Sequence, residues 1–177
     1  TSPAAADLSL LADLRAKHAA IERCGEEYRL TTFGLAANSE TARFSHERDV
    51  SGSSHLLRSG DEFTLGVHVR FQFSIPTPLS NTARLICASG HRPSERIDGV
   101  ILLEQMCQLG PQPDHHITCP RAESPLILFC KGGGLWCRSP QAWTLDGRTV
   151  TAPAALHNGA VVATDTLSFR LEVNSEN

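Results

Sequence analysis

Glu62-Phe63-Thr64-Leu65-Gly66-Val67-His68-Val69-Arg70-Phe71-Gln72-Phe73 alternates between apolar and polar or small residues without a break over twelve positions. Phe63, Leu65, Val67, Val69, Phe71 and Phe73 fall on one side. A period of two over that length predicts a strand with one buried face. A strand so long must bend, and Gly66 is the natural place for a bulge. The stretch sets the fold class as mainly β.

Turn signals bracket it. Ser51-Gly52-Ser53-Ser54 reads as a loop and Gly60-Asp61 as a turn, while Pro76-Thr77-Pro78 ends the strand. Thr41 to His46 is a short strand candidate, Tyr28 to Leu35 a strand or loop edge, and Ala83 to Ala88 the next strand. The N-terminal stretch is ambiguous. Ser2-Pro3 can start a helix, and Leu8, Leu11, Leu14 and Ile21 recur near helical spacing among alanines. Yet Leu8, Leu10, Ala12 and Leu14 also alternate. Local propensity favours a helix, which gives an alternative fold: α+β, with an N-terminal helix packed on a β-sandwich.

Ser89 to Glu95, with Gly90 and Pro93, reads as a linker, dividing the chain into domains at 1–90 and 96–177. In the second half Leu126 to Cys130 is a firm strand and His116 to Cys119 a weaker one. Lys131 to Gly134 is a glycine turn, and Asp146-Gly147 a turn signal. Trp136 to Trp143 reads as irregular, and alternation returns at Leu167, Phe169, Leu171 and Val173. Gly60-Asp61-Glu62-Phe63-Thr64-Leu65 echoes Thr164-Asp165-Thr166-Leu167-Ser168-Phe169. That echo fits an internal repeat of two β modules, or chance similarity between amphipathic strands.

A formal charge of −3 argues against strong non-specific nucleic-acid binding, which needs clustered cations. Only Lys17 and Lys131 are lysines among the 16 basic residues, and arginine suits planar, specific contacts. Codon bias explains the imbalance equally well. No apolar run approaches the roughly 20 residues of a membrane span. Thr1-Ser2-Pro3 lacks an initiator Met and a basic n-region, so it reads as a boundary within a longer protein. The six cysteines form no disulfide framework, several lie in apolar runs, and no Asn-x-Ser/Thr sequon occurs. A reducing cytoplasm is the expected compartment.

With Phe44-Ser45-His46 and Gly60-Asp61-Glu62 the first half resembles a cold-shock domain, in particular those RNA-binding members that alternate standard and degenerate cold-shock domains in tandem. Phe44-Ser45-His46 falls on that family's Phe-Phe-His motif, and Leu57-Arg58-Ser59-Gly60-Asp61-Glu62-Phe63 on its Gly-Asp-acidic turn. Asn81 to Cys87 sits at the fifth strand, and His18-Ala19-Ala20-Ile21 takes the place of aromatic-Gly-Phe-Ile. The resemblance implies two oligonucleotide-binding-type β-barrels in tandem, the second degenerate. It implies a non-enzymatic module of an RNA-regulatory protein, contacting single-stranded RNA through His18, Phe44 and His46, with Lys17 and Arg43 holding phosphates. It implies no cofactor, metal or membrane. Ala20 and Ser45 replace two aromatic platforms, each worth ~1–3 kcal/mol per stacked base, so the RNA contact is expected to be weak. The alternative is a protein-interaction β-domain with no nucleic-acid role.

Other constellations have plain readings beside sharper ones. His115-His116-x-x-Cys119, with Cys107, Cys130 and Cys137, offers zinc-ligand chemistry but no Cys-x-x-Cys pair. Lys131-Gly132-Gly133-Gly134 is a tight turn or, without a Walker pattern, a phosphate cradle. No Gly-x-Ser-x-Gly elbow marks a nucleophile, and no catalytic residue is assigned. Phe129, Trp136 and Trp143 read as core or interface residues, or as rings exposed for a ligand.

Overall fold

The computed structural model describes residues 8, 18–33, 42–44, 54–90 and 97–173. Among them the chain is mainly β, with no helix, in four sheets that remain open. It divides into two compact units that interleave along the sequence: Thr1–Ile75 with Arg84–Leu102, and Pro76–Ala83 with Leu103–Asn177.

In the first unit β1 (Ala19–Cys24), β2 (Glu27–Thr32) and β4 (Ser54–Leu57) form one sheet in that order. Ala19 to Ile21 are thus strand, against the local helical preference. Gly25-Glu26 turns the chain so that Ala19 pairs with Thr32 and Cys24 with Glu27, and that ladder outweighs alanine's propensity. Apart from Leu8 and His18, the rest of the ambiguous N-terminal segment lies outside the described residues.

The other sheet of this unit runs β3 (Ala42–Phe44), β5 (Glu62–Leu65), β6 (Val69–Ser74), β7 (Ala83–Cys87), β8 (Val100–Leu102). Here the reading of Glu62–Phe73 as one long strand is corrected. It is a hairpin that folds back at Gly66 (φ 58°), pairing Leu65 with Val69 and Phe63 with Phe71. Val67 lies in the turn and is 75% exposed rather than facing the core. The remaining apolar positions behave as the alternation demands, with Phe63, Leu65, Val69, Phe71 and Phe73 all buried. The two sheets meet where Tyr28 of β2 packs on Phe73 of β6, 5.4 Å between ring centroids. The Tyr28 hydroxyl donates to the Leu102 carbonyl, so the ring is buried without stranding its polar end.

The turn leading into this hairpin is built by local polar groups. Asp61 accepts from the Arg58 amide through Oδ2 and donates its own amide to the Arg58 carbonyl. Ser59 Oγ bonds both the amide and the carbonyl of Ile75, tying the turn to the end of β6.

In the second unit a five-stranded sheet runs β10 (Ile117–Thr118), β9 (Met106–Gly110), β11 (Leu126–Lys131), β12 (Gly134–Arg138), β15 (Ala154–Ala155). A four-stranded sheet runs β14 (Arg148–Val150), β13 (Trp143–Leu145), β16 (Val161–Ala163), β17 (Ser168–Arg170). The buried residues of this unit come from both: Cys107, Leu109, Leu126 and Cys137 from the first, Trp143 and Val162 from the second. The segment Trp136 to Arg138, read as irregular, belongs to β12.

β9 and β10 are parallel neighbours joined only by residues 111–116. Two histidines hold that short loop. Nδ1 of His116, fully buried, accepts from the Gln108 amide, and Nδ1 of His115 accepts from the Gln112 amide. Gly110 is required beneath His115, because a Cβ there would stand 2.5 Å from His115 Nδ1.

Candidate functional site

Phe44 of the expected RNA face lies at the end of β3. β3 pairs with β5, and Phe44 stands directly opposite Phe63. Opposed residues share a face, so Phe44 lies on the side of the buried Phe63. Its ring is half-buried, 5.9 Å from Phe63 and 4.0 Å from the imidazole of His55 on β4. His55 Nε2 in turn lies 4.0 Å from Asp61 Oδ2. Phe44 is therefore engaged with rings of both sheets of the first unit, which favours the core alternative over an outward stacking platform.

His18 precedes β1 and is half-buried; its carbonyl accepts from the Phe33 amide. The strand order sets β1 beside β2, whereas β3 has β5 as its neighbour. Arg43 of β3 pairs with Thr64 of β5. Lys17 and His46 lie outside the described residues.

His115 and His116 act as loop anchors, and among the described residues no three His, Cys, Asp or Glu side chains converge on a metal-sized site. The six cysteines are free thiols. Burial pushes Cys107 and Cys137 up to about 12 and raises Cys119 as well, leaving them in the unreactive thiol form. Cys24 and Cys130 are exposed.

A shallow polar crevice opens in the second unit between Glu123, Ser139, Gln141, Thr164, Asp165 and Thr166. At about 30 Å³ it has room for a water or two rather than an organic substrate.

The more distinctive surface is the face of the five-stranded sheet away from Leu126 and Cys137. Gly132 (φ 60°) and Gly133 (φ 76°) make a two-residue turn with both central residues left-handed, the geometry that matches strand twist in a hairpin. That turn pairs Lys131 with Gly134 and so sets Phe129 opposite Trp136. Both rings are half-buried, 6.4 Å apart. Lys131 Nζ lies 4.9 Å from the Trp136 ring centroid, and the Arg138 guanidinium 5.7 Å from that of Phe129. The Trp136 indole donates to the Lys131 carbonyl, fixing the ring across the turn. Reading the sequence flagged the two aromatic residues and the glycine turn separately. Their union depends on the register, which the two-residue turn encodes.

Comparison of the chain with protein-family models, with curated proteins and with solved structures gives no match.

Proposed function

We propose that the chain is a non-catalytic protein-interaction β-domain. The observation that carries this reading is the contrast between its aromatic residues. Phe44, the ring on which an RNA face would depend, is packed against His55 and Phe63. Phe129 and Trp136, half-buried like Phe44, instead meet each other and the cations Lys131 and Arg138 on the face away from Leu126 and Cys137, the kind of rigid ring and arginine surface that anchors protein interfaces. The net charge of −3 is also a poor starting point for a phosphate backbone.

The runner-up is the weak single-stranded RNA contact of a degenerate cold-shock barrel. Its support is the motif resemblance at Phe44-Ser45-His46 and Gly60-Asp61-Glu62.

Affinity capture with the chain, in nuclease-treated extract at high salt, followed by reconstitution with the purified partner, separates the two readings. A partner that rebinds stoichiometrically without nucleic acid supports the interaction domain. Loss of all capture under nuclease, together with a salt-steep affinity for single-stranded RNA, supports the runner-up and removes the first reading.

A further inference from the structure

The outer face of the β11–β12 hairpin has an arrangement that specifies a ligand class. On β11 the residues sharing this face are Ile127, Phe129 and Lys131; on β12 they are Gly134, Trp136 and Arg138. The two rings sit at the centre. Lys131 flanks them at the turn end, and Arg138 flanks them on the other side, opposite Ile127. The neighbouring strands add Met106 and Gln108 from β9 and Ala155 from β15 to the same face. None of these residues is acidic, and neither cation is in an ion pair among the described residues. In a chain of net charge −3, this is a local concentration of positive charge around an aromatic centre.

We infer that this face docks an extended acidic segment of a partner protein, with carboxylates at positions i and i+4 and an apolar side chain at i+2. The inference rests on the interaction-domain reading and specifies its partner. The spacing follows from the register. The backbone positions of Lys131 and of Ile127, which stands opposite Arg138, are four residues apart along β11, roughly 13 Å at the strand rise, and the two charged ends lean inward from there over Trp136 and Phe129. An extended peptide presents every second side chain to one side, so its i and i+4 residues repeat that backbone spacing and their carboxylates reach inward to the two charged ends. An apolar side chain between them meets the ring pair, and the carboxylates meet the ammonium and the guanidinium, the latter suited to bidentate contact. Both cations keep their stacking on the rings, which holds them in place before the ligand arrives and lowers the ordering cost of binding.

The test uses fluorescence anisotropy at low salt with the full chain. The probes are labelled peptides of repeated Glu-Ser-Leu-Ser-Glu, the matched Gln-Ser-Leu-Ser-Gln, and a single-stranded oligouridine. The variant is K131E/R138E, both sites exposed, with its fold checked by circular dichroism and melting. W136F serves as a second variant that keeps a ring at the platform. The expected result is binding of the Glu peptide, weakened at least about tenfold in K131E/R138E and largely kept in W136F, with the Gln peptide at least about tenfold weaker. Raising the salt should weaken the Glu peptide selectively, because exposed charges are screened.

Equal binding of Glu and Gln peptides overturns the inference, as does a K131E/R138E variant that binds like the wild type. An oligouridine that binds more tightly than the Glu peptide, and loses that affinity in K131E/R138E, also overturns it, by making the face a nucleic-acid surface. A reconstituted protein partner that K131E/R138E retains at full affinity overturns this site while leaving the interaction-domain reading in place.

Discussion

Two hairpins of this chain each place an aromatic pair directly across their strands, and the pairs meet different fates. In β5–β6, Phe63 faces Phe71 at 5.6 Å, and both are buried. In β11–β12, Phe129 faces Trp136 at 6.4 Å, and both remain half-exposed beneath cations. The first pair lies on the side of its hairpin that meets a second sheet, where Phe73 receives Tyr28. The second pair lies on the side away from Leu126 and Cys137, which take the core positions of their strands. A cross-strand aromatic pair is thus neither core nor site by itself. Turn length sets which residues share a face, and what packs on that face decides whether they are buried.

Truncation of the rings should expose the difference most strongly. Phe73→Ala removes a fully buried ring and its contact with Tyr28, and should cost ~3–5 kcal/mol, read by urea denaturation. Phe129→Ala, half-buried like Phe44, should cost about 2 kcal/mol, and equal losses would erase the contrast between the hairpins. Phe44→Ala comes next. A half-buried ring on His55 and Phe63 should cost about 2 kcal/mol, with no separate change in RNA affinity. A Phe44 variant that melts like wild type would return the ring to the surface.

Gly133→Ala should follow, at about 1–2 kcal/mol, because alanine at φ 76° meets its own carbonyl. The same denaturation curves measure it, and an unchanged midpoint would mean that the turn is not the two-residue form. Next is a pH effect. Unfolded thiols ionise near 9.0, whereas Cys107 and Cys137 in the folded chain hold their protons to about 12. Between those values the native state binds more protons, so stability is complete below pH 9 and falls as pH rises toward 12. Denaturation at pH 7 and pH 10 should show that fall. Native alkylation followed by mass spectrometry should label Cys24 and Cys130 before Cys107 and Cys137. Smallest of all, K131E/R138E should cost about 1 kcal/mol, since it removes two exposed cation–π contacts. A larger loss in melting experiments would make the cations structural.

Much of the first unit was legible residue by residue. The alternation in Glu62–Phe73 gave the correct buried side for Phe63, Leu65, Val69, Phe71 and Phe73, yet it hid the hairpin. The pairing of Leu65 with Val69 leaves a three-residue turn, and residues of equal parity then face the same side on both arms. The period therefore runs through the turn unbroken, with Val67 as its single exception. The pairing of Lys131 with Gly134 leaves two residues, so the parity flips: Leu126 faces the core on one arm, Cys137 on the other. That flip made β12 look irregular, although the turn itself was plain from Lys131 to Gly134. The parallel pairing of β9 with β10 was out of reach, since it depends on His115 and His116 folding a proline-containing loop over Gly110. Stacking of Lys131 and Arg138 on the rings depends on register rather than on any local motif.

Mapping by amide NMR decides most directly which hairpin carries the function. Titrating the labelled full chain with the Glu-Ser-Leu-Ser-Glu peptide should shift residues 106–108, 127–131 and 134–138, while Phe44 and residues 54–57 stay in place. Shifts centred on Phe44 and His55, or shifts at those residues with oligouridine and none on β11–β12 with the peptide, would contradict it.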